Sequence, residues 1–378
     1  MKILHIIPNL KKGGAERIVI DIVRQLNMDK SLDVKLVLFE NQIEYEVQDL
    51  ESNIKIIPSH VRLSLLKKNE YDLNVLQSFI EEFQPAIIHS HLYEAEVISR
   101  SCFYPSAKWF THSHDRMRSF NNLNFRSLSS KRALTDYFEK KYLLKRYAIN
   151  GGNHFIAISE DIEHFLKSVL QLKSATIHLL PNAIDVKRFE KPAEFVSTKD
   201  NQIFELVSIG RLDKNKNHQF LVDVVKALTN KQIPVHLTII GDGTERKALQ
   251  EKINHLDLAH RISLVGIQDN VEEFLWNADL YVHSALTEGF GLTLLEAMAA
   301  GLSVITIDGG GNKNLIRHGE NGFIITEQDV SLFSEFINEL FQNPTLRELT
   351  SNYAKEFANN FDITTYIDQL ITIYKKAL

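Results

Sequence analysis

Apolar residues along this chain fall in short unbroken runs rather than in alternation. In the first half these are KILHIIP (2–8), DVKLVLF (33–39), IKIIP (54–58), AIIHSH (86–91), KWFTHS (108–113), HFIAIS (154–159) and TIHLLP (176–181). A sheet with one wet face would alternate, so continuous runs predict parallel strands buried on both faces. Helix-length segments such as 15–26, 72–83 and 133–147 separate them. After the polar stretch 190–202 the rhythm restarts with FELVSIG (204–210), VHLTIIG (235–241), ISLVG (262–266), LYVHS (280–284), SVITI (303–307) and GFIIT (322–326). Strand–helix alternation, twice over, predicts an α/β fold of two Rossmann-like, doubly wound domains. We place them at 1–188 and 189–361, with an amphipathic helix over 362–378 packing back on the first. Ligands of such sheets bind beyond the carboxyl ends of the strands, so the expected site is a cleft faced by two such edges.

The chain's 378 residues suit two cores better than one. With 44% apolar and 24% charged residues it has the composition of a soluble globular protein. No apolar run approaches the roughly 20 residues of a membrane span. The amino-terminal apolar stretch is too short for a signal peptide and lacks a small-residue cleavage site. A lone cysteine, Cys102, excludes an internal disulfide and a multi-cysteine metal cage. The expected compartment is the cytoplasm, and nothing points to a nucleic-acid partner.

The net charge of −5 is unevenly spread: residues 1–190 carry 26 Lys and Arg against 23 acids, the remainder 17 against 25. Nine cations lie between Arg116 and Arg146, opposed only by Asp136 and Glu139, with Leu134, Tyr137, Phe138, Leu144 and Tyr147 interleaved. This segment is either an ordinary domain helix or a peripheral contact with an anionic membrane surface.

Candidate chemistry sits at the ends of the expected strands. SIGRLDKNKNH (208–218) brings Arg211 and Lys216 to a strand-end turn, where two cations suit a diphosphate. IIGDGTER (239–246) offers Gly241 and Gly243, but Arg246 stands where a dinucleotide fingerprint needs a third glycine. ADLYVHSALTEGFGLTLLEAMAAG reads strand, turn, helix, with Gly301 as the helix stop. Glu288 precedes that helix and Glu296 lies within it; Gly291 and the amides of Leu292 and Thr293 suit phosphate oxygens. WFTHSHDRMRS (109–119) supplies His114 and Asp115, with His112 and His91 as lesser candidates. Adjacent strands could also converge His89, His91, His112 and His114 on a metal, although no cysteines accompany them.

In order and spacing, GRLDKNKNH, GDG, the strand at 262–266 and SALTEGFGLTLLEAMAAG resemble the nucleotide-sugar half of the family 4 glycosyltransferases, retaining enzymes of GT-B architecture. PNAID (181–185) resembles that family's PNG(V/I)D element with Ala183 in place of glycine, and PNLKKGGAER (8–17) resembles its glycine loop. The resemblance implies transfer of a hexose or related sugar from a nucleotide diphosphate sugar to a saccharide or lipid-linked hydroxyl acceptor. Arg211 and Lys216 would bind the donor diphosphate in place of a metal, so neither metal nor other cofactor is expected. Glu296 would hold the ribose and Glu288 the transferred sugar. Gly291, Leu292 and Thr293 would complete the phosphate site, which the Gly13–Gly14 turn would approach, and His114 with Asp115 would lie beside the sugar. A nucleotide-sugar epimerase of the same plan and an NAD(P)-dependent oxidoreductase are the alternatives.

Overall fold

A computed structural model describes residues 1–64, 68–116, 131–170, 175–197 and 202–378, excluding the side chains of 131 and 132. The chain divides into two compact units, 1–182 with 363–378, and 183–362, so the break falls inside the PNAID element.

The first unit is built on β1 (Lys2–Ile7), β2 (Asp33–Leu38), β3 (Ile54–Ile56), β4 (His60–Arg62), β5 (Glu70–Asp72), β6 (Ile87–His91), β7 (Lys108–Ser113), β8 (Asn153–Ala157) and β9 (Thr176–Leu179). Seven of these form a parallel sheet in the order β3-β2-β1-β6-β7-β8-β9. The antiparallel pair β4–β5 stands apart, and its short polar strands carried no sequence signal. Because β5 takes Asp72, the helix expected from 72 begins at Asn74. The helices are α1 (Gly14–Met28), α2 (Asn74–Phe83), α3 (Tyr93–Ser101), α4 (Lys131–Asn150) and α5 (Glu160–Val169), the last capped by the Ser159 hydroxyl. The C-terminal helix Ile363–Ala377 belongs to this unit and buries Tyr366, Ile367, Leu370 and Tyr374.

Of the basic segment, residues 117–130 lie outside the described residues. Its described helix exposes Leu134 and Tyr137, but Tyr147 is fully buried against Phe155, so it belongs to the core and not to a membrane-facing stripe. No described helix is long and apolar enough to cross a membrane.

The second unit contains α6 (Val186–Phe189), then β10 (Phe204–Ile209), α7 (His218–Asn230), β11 (Val235–Ile240), α8 (Arg246–His255), β12 (Ile262–Gly266), α9 (Val271–Asn277), β13 (Leu280–His283), α10 (Leu292–Ala299), β14 (Ser303–Ile307), β15 (Phe323–Ile325), α11 (Val330–Gln342) and α12 (Pro344–Ala358). Its parallel sheet runs β12-β11-β10-β13-β14-β15. Val235, Leu237, Ile239, Leu280, Val282 and Ile305 pack with Val222, Val225, Phe333 and Ile337 of the covering helices in one core. Burial on both faces is why these strands read as unbroken apolar runs.

One buried polar network ties α3 to strands β6, β7 and β8 of the first sheet. Arg100 on α3 is fully buried, its Nε 3.0 Å from Glu96 Oε1 and its guanidinium donating to Asn153 Oδ1 (2.7 Å) and Thr111 Oγ1 (3.1 Å). It also lies 5.0 Å over Trp109 and 4.8 Å over Tyr147, while Ser90 of β6 donates to Glu96. Removing one partner of such a pair strands the other charge in the core. Arg100→Ala is therefore expected to destabilise the first unit by about 3–5 kcal/mol. The double change Arg100→Met, Glu96→Gln should recover a large part of that loss, with both variants followed by denaturant unfolding.

Candidate functional site

In the second unit the order of strands reverses between β10 and β13, and the turns that follow these two strands carry most of the candidate residues. The turn after β10 folds on itself: Asp213 Oδ1 accepts from the amides of Asn215 (3.0 Å) and Lys216 (2.9 Å), an Asx turn that aims Lys216 at its neighbour. Asn215 then bonds the turn after β13 through Thr287, accepting from its amide (3.1 Å) and donating to its carbonyl (2.8 Å). The two motifs are thus one hydrogen-bonded structure.

Glu288 is at its centre. Its Oε2 lies 2.6 Å from Lys216 Nζ and 3.1 Å from His283 Nε2, the last residue of β13. Its side chain is 15% exposed. Burial opposes ionisation, but the hydrogen bond from His283 and the charge of Lys216 outweigh it and hold the carboxyl at about 2. Glu288 also lends its backbone to the loop after β14, its amide donating to Gly309 O (2.7 Å) and its carbonyl accepting from Gly311 (2.9 Å). A side chain at Gly311 would stand 2.3 Å from Gly289 O, so only glycine fits there.

Gly291, at φ +103, opens α10, and Leu292 and Thr293 form its first turn. Glu296 is half-buried one turn further on. Tyr281 ties the stretch together: burial first, then the charges of Glu296 and Glu288, push its phenol up, while its hydroxyl bonds Thr293. The same hydroxyl lies 3.4 Å from Ile209 O and 3.4 Å from His283 Nδ1, which ties β13 to β10. Arg211 is set differently from Lys216: it is 76% exposed and its Nε bonds Asp213 at 2.7 Å. Gly241 and Gly243 serve close packing of turn on turn, since a side chain at Gly241 would meet Gly210 O at 2.1 Å and one at Gly243 would meet Leu212 O at 2.4 Å.

In the first unit Gly13 and Gly14 start α1, and Tyr45 clasps the turn, its hydroxyl accepting from Gly13 N (3.0 Å) and donating to Gly13 O (2.9 Å). His5 of β1, His89 and His91 of β6, and His112 of β7 are buried together, with part-exposed His114 at the edge and exposed Asp115 beyond it. His5 Nδ1 is 2.9 Å from His91 Nε2, and His91 Nδ1 is 3.3 Å from His114 Nε2. Burial holds His5 down to about 3 and His112 to about 4, and His89, His91 and His114 well below the usual range. Two sets, His5–His89–His91 and His91–His112–His114, each bring three ring nitrogens within 4.8 Å. A metal bound about 2.1 Å from a nitrogen must lie in the plane of each ring. The His112 and His114 rings are parallel to within 2° with centroids 4.2 Å apart, so their lone pairs do not converge as they stand.

Sequence reasoning missed His283, Tyr281, Asn215, Tyr45, His5 and the glycines 309–311. Of these only Tyr281 and His283 left a signal, as polar rings on alternate positions at the end of an apolar strand.

Two family profiles span most of the chain end to end: "Glycosyltransferase Family 4" over residues 12–188 and "Glycosyl transferases group 1" over 189–357. A Campylobacter jejuni N-acetylgalactosamine-N,N'-diacetylbacillosaminyl-diphospho-undecaprenol 4-alpha-N-acetylgalactosaminyltransferase is 24% identical, covering 94% of both chains. An Escherichia coli UDP-Gal:alpha-D-GlcNAc-diphosphoundecaprenol alpha-1,3-galactosyltransferase is 22% identical over 99% of this chain and 96% of its own. Among solved structures, Anabaena Alr3699/HepE in complex with UDP-glucose superposes with a TM-score of 0.78 at 19% identity, covering 100% of each chain. The epimerase and oxidoreductase alternatives give way. The chain belongs to the family 4 glycosyltransferases and is an enzyme of GT-B architecture.

Proposed function

We propose that this glycosyltransferase takes its sugar from a nucleotide diphosphate sugar and transfers it, with retention at the anomeric carbon, to a hydroxyl of a saccharide or lipid-linked acceptor in polysaccharide or glycolipid assembly. The observation that carries the reading is the part-buried, ionised Glu288 held between Lys216 and His283 beside the amides that open α10. An anionic diphosphate suits Lys216, Arg211 and the helix N-terminus, where Gly291, Leu292 and Thr293 present N–H groups. When Lys216 turns to phosphate, Glu288 is left to accept hydrogen bonds from sugar hydroxyls. Glu296 accepts from the ribose, and Gly241 and Gly243 let backbone approach the nucleotide. Gly13 and Gly14 form the corresponding turn of the first unit, and His114 with Asp115 contacts the sugar. Relatives named for diphospho-undecaprenol substrates, and a neighbour holding UDP-glucose, support the classes of acceptor and donor.

In the step itself the bond from the anomeric carbon to the diphosphate oxygen breaks, and the acceptor oxygen bonds the same face. The acceptor proton passes to the departing phosphate. The protein stabilises the charge that grows on the leaving group through Arg211, Lys216 and the α10 amides, and no metal is required. The cations and exposed apolar residues of α4 suit contact with an anionic membrane carrying a lipid-linked acceptor, peripheral and on the cytoplasmic face.

Glu288→Gln is expected to lower kcat by about 100-fold or more, the scale on which loss of a charged transition-state contact acts. Retained turnover in a donor-saturated assay would overturn the sugar contact. The same change should also cost stability at neutral pH, because the carboxyl is part-buried and paired with Lys216 and His283. A depressed carboxyl stabilises the fold above its unfolded value and loses that effect as it protonates. The stability gap between wild type and variant should therefore close as pH falls from about 4.5 toward about 2.

Arg211→Ala with Lys216→Ala should weaken binding of nucleoside diphosphates on the order of 100-fold by calorimetry, two charge-assisted contacts being lost. Unchanged affinity refutes the phosphate assignment. Turnover is expected to persist in excess EDTA; activity lost there and restored by a divalent metal would show that these cations do not suffice.

A further inference from the structure

We infer that His91 and His5 are positioning residues for His114, a chain of three imidazoles that holds His114 in its Nδ1–H form and so presents a hydrogen-bond donor, not a base. The inference rests on the proposal that His114 contacts the transferred sugar. The sheet builds the chain directly. His5 on β1 pairs across from His89 on β6, and His91 pairs across from His112 on β7. His114 lies in the bend just after β7, its ring stacked on that of His112, and its Nε2 meets His91 Nδ1 while His91 Nε2 meets His5 Nδ1.

A neutral imidazole has one N–H and one lone pair, and burial keeps all three rings neutral. Two hydrogen bonds in series then admit only two states, protons pointing inward or protons pointing outward. The inner end decides between them. His5 Nε2 is buried with no partner among the described residues. Inward protons would leave an N–H there without an acceptor, a rarer and costlier defect than a bare lone pair. Outward protons leave the lone pair at His5 Nε2 and put N–H at His5 Nδ1, His91 Nδ1 and His114 Nδ1. His112 shows the same pattern by an independent bond: its Nε2 donates to Asn182 Oδ1 (3.3 Å), and the atom without a partner among the described residues is again a lone pair, at Nδ1.

Packing fixes the ring as well as the proton. His112 lies flat on His114 at 4.2 Å. Leu92, directly after His91, has φ +68 and ψ 154, a conformation that costs a non-glycine residue roughly 1–3 kcal/mol and persists only where the surroundings impose it. His114 Nδ1–H is therefore aimed before any ligand arrives, to donate to a sugar hydroxyl or a departing phosphate oxygen.

The test is nitrogen NMR of the full chain with ¹⁵N-labelled histidine, reading ring protonation from long-range proton couplings. In the wild type His114 is expected as Nδ1–H, the minor form of free imidazole side chains; finding Nε2–H overturns the inference without any variant. His91→Phe should release His114 to Nε2–H and lower kcat about 10-fold, one hydrogen bond's worth, with donor KM little changed. His91→Asn keeps an N–H near the Nδ1 position and should restore both tautomer and rate. An unchanged tautomer in His91→Phe overturns the chain as its cause. If His114→Phe turns over normally while the wild-type tautomer is Nδ1–H, the sugar contact fails and the imidazole chain stands.

Discussion

A parallel sheet sets the carboxyl ends of all its strands on one edge, and that constraint places every candidate residue in this protein. Where the order of a doubly wound sheet reverses, the chains leaving neighbouring strands turn to opposite faces and a notch opens between their first turns. The second unit reverses between β10 and β13, and Lys216 and Glu288 are contributed by the two turns that flank that notch. The first unit reverses between β1 and β6, and there the glycine turn, His5 and His91 are found. Side chains far apart in sequence meet because two adjacent strands end beside each other.

Once there, a carboxylate has to be kept charged in a nearly dry place. Desolvation alone would protonate Glu288, and one cation or one hydrogen bond would compensate only in part. Here Lys216 supplies the charge and His283 the hydrogen bond, both to the same oxygen, Oε2. The backbone of Glu288 is meanwhile bridged to Gly310 by the loop after β14, so the carboxylate has a fixed origin as well as fixed partners. That rigidity is what a hydroxyl contact needs in order to orient a sugar ring, and the loop glycines matter to it because a side chain at Gly309 would stand 3.1 Å from Glu288 N and 3.2 Å from its Cβ.

Much of this was legible in sequence, for a definite reason. Thirteen expected strands are present: the inner strands such as β1, β6, β13 and β14 are buried on both faces and so keep an unbroken apolar run, while the edge strands β3 and β9 are partly exposed and were legible from their apolar letters alone. The motif residues Lys216, Glu288, Gly291 and Glu296 were legible because each sits in a local turn or helix start whose chemistry is written in a few neighbouring letters. What stayed hidden depends on contacts distant in the chain. Asn215 reaches Thr287, Tyr45 reaches Gly13 and Gly311 packs on Gly289, and no spacing announces any of them. His5 was invisible as a partner of His91 because their meeting follows from strand order. The β4–β5 pair has residues of mixed polarity exposed on both faces, so no periodicity marks it.

The two sheets solve one problem in the same way. The strand across each reversal ends in two rings on alternate residues, His89 and His91 on β6 and Tyr281 and His283 on β13. In both, the terminal histidine spends a ring nitrogen on a candidate residue of a following loop: His91 on His114, His283 on Glu288. Stability does not explain the choice. Each buried polar atom without a partner costs about 1–3 kcal/mol, and among the described residues His5 Nε2, His89 Nε2 and His112 Nδ1 have none. Leucine or phenylalanine would fill the same space without that cost. A strand end is the most rigid point from which a side chain can reach a loop, and a ring is stiffer than an aliphatic chain carrying the same nitrogen. What these histidines do is fix candidate loop residues, His114 and Glu288, from the rigid ends of their strands.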